Sequence, residues 1–130
     1  MNDKLSAGNG RFFDVMANII DVHVSHIGRI SMNSHIEVSI SSTCTVFAES
    51  EVISHLSENA NIEDIVAGIH TSVAKRVSSL VKRIGVQRNV GMVGGVARYS
   101  GIVRAMAREI KTEIIVPDMP QLTGAFGAAL

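Results

Sequence analysis

The sequence predicts an α/β fold, and three observations carry that prediction. Apolar residues between 10 and 31 recur at helical spacing. Two short apolar runs, "NVGMV" at 89–93 and "EIIVP" at 113–117, read as strands. Glycine turns and helical stretches separate them, so the C-terminal part runs strand, turn, helix, strand, helix.

Each element has its own signal. Phe12, Phe13, Met16, Ile19, Ile20, His23, Ile27 and Ile30 keep a period of about 3.6 residues and predict one helix over 10–31. On that helix Phe12, Phe13 and Met16 are core or contact residues, and His23 falls on the apolar face. Residues 32–48 are polar, with short alternating segments, and predict loop and extended pieces. Residues 49–58 read as a short helix. Asn61 is placed to cap a long helix ending near Ile84, with Glu63 and Asp64 in the first turn, where the helix dipole favours negative charge. Lys82, Arg83 and Gly85 form the matching C-terminal signature. "NVGMV" is expected as a buried strand, Gly94-Gly95 turns into a helix over about 99–110, and Pro117 closes the second strand. Residues 121–130 begin a last apolar helix, whose small residues suit close packing against a neighbour. Both ends read as interior to a longer chain.

The totals narrow the function. A chain of 130 residues has the size of one domain. Twelve basic residues balance twelve acidic ones, so no global field favours nucleic acid or an anionic membrane. One cysteine, Cys44, excludes an intramolecular disulfide framework and a self-contained four-cysteine metal site. Residues 1–10 are polar and glycine-rich, unlike a secretory leader, and no apolar run reaches the roughly 20 residues of a bilayer span. A cytoplasmic protein is expected. Among the histidines, His26, His35, His55 and His70 show no metal-ligand spacing, and most are expected to be partly exposed.

Two glycine turns carry the functional signal. Asp3 to Arg11, "DKLSAGNGR", ends in a helix start. Unpaired backbone N–H groups and the positive end of the dipole make such a turn an anion cradle. Asp3 suits a water-bridged Mg²⁺ there; an ordinary Asp/Gly/Asn capping turn has the same residues. The second turn, in "VGMVGGVARYSG", follows a strand and precedes a helix, where α/β sheets bind ligands. A tight connection without a ligand is the competing reading.

Taken in order, "DKLSAGNGR", "VGMVGGVAR" and "GAFGAAL" resemble the second phosphate loop, adenosine motif and second connecting helix of the actin, sugar-kinase and heat-shock-chaperone superfamily. "NDKLSAGNGRFFDVMA", "SSTCTVFAESEVISHLSE", "AGIHTSVAKRVSSLVKRIG" and "PDMPQLTGAFGAAL" are similar to the ATPase family of 2-hydroxyacyl-CoA dehydratase activators and benzoyl-CoA reductase ATPase subunits. The resemblance covers nearly the whole chain. It implies that residues 1–130 are the C-terminal lobe of an actin-like (ribonuclease H-like) ATPase domain. That lobe would be a small mixed sheet packed with several helices, and the first phosphate loop would lie in an N-terminal lobe outside this sequence.

The resemblance also implies ATP hydrolysis coupled to low-potential electron transfer, toward an acyl-CoA dehydratase or reductase partner. The alternative is a cluster-less ATP- or ADP-binding regulatory subunit of the same fold. By resemblance, Asp3, Gly8, Asn9, Gly10 and Arg11 face Mg²⁺ and phosphate, with Arg11 open to an exposed role. Lys75, Arg76 and Ser79 in "AKRVSS" resemble residues that chaperones place around adenine and ribose; a solvated helix face is the other reading. Gly94, Gly95 and Val96 would line the adenosine, with Gln121 and Gly124 at its edge. The family holds a 4Fe–4S cluster between two like or related subunits, with two cysteines from each. Cys44 matches one of them. Leu5 stands where the family has the other, so a symmetric dimer would offer two thiolates where such clusters take four.

Overall fold

The structure is a computed structural model that describes residues 8–41 and 43–130. Its core is laid down by α1 (Asn9–Ile19), α2 (Val24–Ile30), α3 (Thr45–Ser57), α4 (Ile62–Ile84) and α5 (Ser100–Ile110). Two short strands, β1 (Val90–Gly91) and β2 (Ile114–Ile115), pair in parallel with Val90 opposite Ile114. A last helix, α6 (Thr123–Ala129), follows them.

The helix expected over 10–31 is two helices. Asp21 turns into the left-handed region at φ 56°. His23 then caps α2, its Nδ1 accepting the Ser25 N–H at 3.2 Å. A side chain that can accept at the N-cap position competes with helix continuation. His23 is therefore exposed at a helix junction and not on an apolar face. Phe13 and Met16 of α1 are fully buried, as the periodicity predicts.

The helix expected over 49–58 starts earlier, at Thr45, with Cys44 at its N-cap. "TVFA" reads as strand-like because it is short and β-branched, yet the tertiary setting makes it a first helical turn. The segment before it is tied to α4 and to α3 itself. Asp64 Oδ1 accepts the N–H groups of His35 and Ile36 at 2.9 and 3.0 Å. Ser72 Oγ donates to Ser41 O at 2.7 Å, and Glu51 accepts the Ser41 N–H at 2.6 Å. The bond from Ile36, followed by that from His35, holds the Asp64 carboxyl below its ordinary range against the opposing effect of burial.

The long helix α4 begins and ends where its signals place it, with Asn61 at the N-cap position, though its side chain makes no capping hydrogen bond, and Gly85 at φ 91° behind. Every residue from Asp64 to Ala74 is buried, so this stretch is enclosed on all sides. Two departures concern the edges of the fold. The strand expected to be buried is half-exposed at Val90 and exposed at Gly91, because helices cover one side of the pair. The small residues of α6 meet no neighbour among the described residues: a Cβ at Gly124 or Gly127 would stand in open space.

His70 also departs from expectation. It is 1% exposed, 5.6 Å from the Phe13 ring by centroids. Burial pushes its imidazole down to about 4 from 6.5. The unfolded chain thus binds a proton that the folded chain refuses, so stability is complete above pH 6.5 and is lost as pH falls toward 4. This one group is worth about 3 kcal/mol across that window. Urea unfolding between neutral pH and pH 4 should show a loss of that order. His70→Gln should be less stable at neutral pH and flatter across the window; an unchanged slope would contradict the assignment.

Candidate functional site

The two glycine turns meet. Gly8, with φ 82°, forms the N-cap of α1, where only glycine is at ease. Gly94, at φ 96°, turns the chain out of β1 into a 3₁₀ turn over Gly95–Arg98 that leads to α5. Gly8, Asn9 and Gly10 border the same hollow as Gly94, Gly95 and Val96, a space of about 400 Å³ floored by Val73, Val77 and Val81 of α4. A Cβ on Gly10 would stand 4.0 Å from Val96 Cγ2, so the turns touch at their rims.

A second hollow, of about 820 Å³, opens on the other side of that contact. Gly10, Gly95 and Val96 are common to both. The larger one is more polar and adds Asp14, Arg29, Arg98, Tyr99 and Gln121. Gly94 N–H donates to Pro120 O at 2.8 Å, which brings the next residue, Gln121, over the turn. A Cβ on Gly95 would lie 4.0 Å from Gln121 Nε2, and Arg98 reaches Gln121 Oε1 at 3.4 Å. Burial, then the nearby Asp14 carboxylate, pushes the Tyr99 phenol above its usual value, while Arg98 opposes them. The site thus offers a helix N-terminus at one rim, an apolar floor, and mixed charge at the other rim.

The remaining expected residues divide. Asp3 and Leu5 lie outside the described residues. Arg11 is exposed on the first turn of α1. Lys75 and Ser79 are exposed on α4 and do not border either hollow; Ser79 Oγ donates to Arg76 O at 2.7 Å. Gly124 does not border them either. Arg76 reaches the site through another residue. Its guanidinium donates to Asn9 Oδ1 at 3.1 Å and lies 5.3 Å over the Phe12 ring. Burial lowers its pKa, and the charge of Cys44 acts the other way. Asp14, Arg29, Arg98 and Tyr99 are border residues that the motifs do not single out. Arg98 follows the glycine pair closely enough to have been read with it. Asp14 and Arg29 become neighbours of the turn only through the break between α1 and α2.

A profile of the BadF/BadG/BcrA/BcrD ATPase family matches residues 1–130, the whole chain. The chain belongs to this family. Over 130 residues it is 86% identical to a 2-hydroxyisocaproyl-CoA dehydratase activator of Clostridioides difficile, covering 49% of that protein. It is 52% identical to the (R)-2-hydroxyglutaryl-CoA dehydratase activating ATPase of Acidaminococcus fermentans, covering 50% of it. The chain spans about half the length of the curated relatives it matches. A solved structure of the 2-hydroxyisocaproyl-CoA dehydratase activator from Clostridium difficile, with bound ADPNP, superposes with a TM-score of 0.92 at 86% identity, over 98% of this chain and 48% of that one. The α/β fold is that of these actin-like activator ATPases. No helix among the described residues is long and apolar enough to cross a membrane.

The cluster expected from the resemblance does not fit the donors at hand. Cys44 is the chain's one cysteine and is half-buried at the start of α3. Among the described residues no three His, Cys, Asp or Glu side chains gather in a way that could hold a metal.

The different placements of Arg76 and Lys75 are testable. Arg76→Met keeps an apolar stem over Phe12 but removes the bond to Asn9, at a cost of roughly 1–2 kcal/mol. Hydrogen exchange should quicken at the amides of residues 9–12. Lys75→Met should stay within about 0.5 kcal/mol of the parent. Equal effects of the two substitutions in denaturation and exchange would contradict these placements.

Proposed function

We propose that this chain is the nucleotide-binding C-terminal lobe of an ATP-dependent activator that drives an acyl-CoA dehydratase or reductase. The observation that carries the reading is the convergence of Gly8–Gly10 and Gly94–Val96 on one hollow. The 86% identical activator with bound ADPNP supports it.

In this reading the N-terminus of α1 receives the phosphates, because its first N–H groups lack intrahelical acceptors and its dipole is positive there. Asn9, held by Arg76, keeps that turn in place. Arg11 adds positive charge nearby, and Asp3 orients Mg²⁺. Gly95 leaves room for the nucleoside, with Val96 against the base and Gln121 and Arg98 at its polar edge. Lys75, Ser79 and Gly124 stand further out, where the closing of a second lobe would bring them into use. Hydrolysis needs that second lobe, so one lobe binds nucleotide without turning it over.

The partners follow the same reading. Val46, Phe47 and Ile53 are exposed on α3, beside Cys44, and offer an apolar face to a like or related subunit. Leu122, Phe126 and Leu130, on and around α6, offer another to the rest of the ATPase. The single cysteine favours a second reading, a non-redox regulatory ATPase subunit that binds ATP or ADP without a 4Fe–4S cluster.

Gly95→Val is the sharpest test, since among the described residues a Cβ there comes within 4.0 Å of Gln121 only. Calorimetry with MgADP should show binding to the parent and at least tenfold weaker binding to the variant, about 1.4 kcal/mol, with the thermal transition nearly unmoved. Equal affinity in both would refute the reading.

A further inference from the structure

Across the α2–α5 crossing from the nucleotide hollow lies a smaller polar cavity of about 90 Å³. Ser100 borders the larger hollow, and Gly101 borders this one. Its volume is less than a quarter of that of the smaller glycine-lined hollow.

The cavity's polar groups are unevenly satisfied. Arg108 is paired through Nη2, donating to Thr71 Oγ1 at 2.7 Å and Glu37 Oε2 at 3.0 Å. Arg104 is exposed and has no carboxylate partner among the described residues; its hydrogen bond runs 3.6 Å to Met32 Sδ, a thioether and a weak acceptor. In the same wall His70 is 1% exposed; Nδ1 is 2.9 Å from Ser31 Oγ, and Nε2 is buried with no partner among the described residues. His70 is uncharged at neutral pH, because burial pushes it down to about 4. Two guanidinium groups against the one Glu37 carboxylate leave the lining with a net positive charge.

A guanidinium without a carboxylate, beside the hydroxyls of Ser31 and Ser34, has the donor pattern that binds planar or tetrahedral oxyanions. We propose that this cavity is a binding site for a small oxyanion of the carboxylate or phosphate class, held by Arg104 with the serine hydroxyls. The ion replaces water at the exposed Arg104 guanidinium and balances the excess charge of the lining. The site is separate from the nucleotide hollow and does not depend on how that hollow is used.

The test is an NMR titration of the full chain at neutral pH and constant ionic strength, once with sodium phosphate and once with sodium acetate. The His70 imidazole and Arg104 guanidinium signals should move saturably. Saturation by both ions marks a general oxyanion site, and saturation by phosphate alone marks a phosphate site; either supports the proposal. Arg104→Met, at an exposed position, should weaken this response at least tenfold, while any phosphate response of the Gly8–Gly10 amides persists. A shift at His70 that only tracks salt without saturating, or that saturates equally in Arg104→Met, overturns it. A failure of nucleotide binding would appear at the glycine amides and leave His70 unaffected.

Discussion

The close crossing of α5 over α2 and α4 is the constraint on which the rest of the molecule depends. At Gly28 an added Cβ would lie 2.8 Å from the Tyr99 backbone, and at Gly101 it would lie 2.5 Å from the His70 ring. Both are below any comfortable carbon contact, so the helices approach as they do because neither position carries a side chain. Ser100 Oγ donates to Gly28 O at 3.2 Å and pins the same point. The crossing fixes the start of α5, and with it the turn Gly94–Arg98, against the α1–α2 unit. Without it the two glycine turns would have no reason to face one another.

The enclosed stretch of α4 supplies the second fixed reference. Asp64, Ser72 and Thr71 each hold a different piece of chain against it through a buried polar contact, and Arg76 extends this arrangement to the phosphate-side turn. Removing one partner of such a buried contact leaves the other unsatisfied, which costs more than the bond itself contributes. The helix thus positions the irregular segment that carries His35, Ile36 and Ser41, and anchors α5 and the start of α1. It also brings Arg76 near both Asn9 and Cys44, the two places that the resemblance ties to nucleotide and to redox chemistry.

Much of this was legible in the sequence because it is local. The caps of α4, the core face of α1 and the strand–turn–helix around Gly94-Gly95 are each written within a few residues. The break at Asp21–His23 was not, because the apolar spacing continues smoothly across it while the deciding event is one side-chain acceptor at His23. The early start of α3 and the burial of His70 depend on neighbours 30 or more residues away, such as Ser31 for His70, which lies 39 residues off. The lining of the candidate site divides the same way. Its glycines announce themselves through spacing, whereas Asp14, Arg29 and Tyr99 join it only when the helices fold back. Arg76 was legible by type but not by role, since its place over Phe12 and against Asn9 is a tertiary fact.

The central claim is that two turns distant in sequence form one nucleotide cradle. The most direct measurement is a backbone amide NMR titration of the chain with MgADP. The account predicts that the amides of Gly8, Gly10, Gly94 and Gly95 shift together, with a single saturation curve, while those of exposed α6 glycines stay in place. Shifts confined to one turn, or two turns saturating with unrelated affinities, would contradict it.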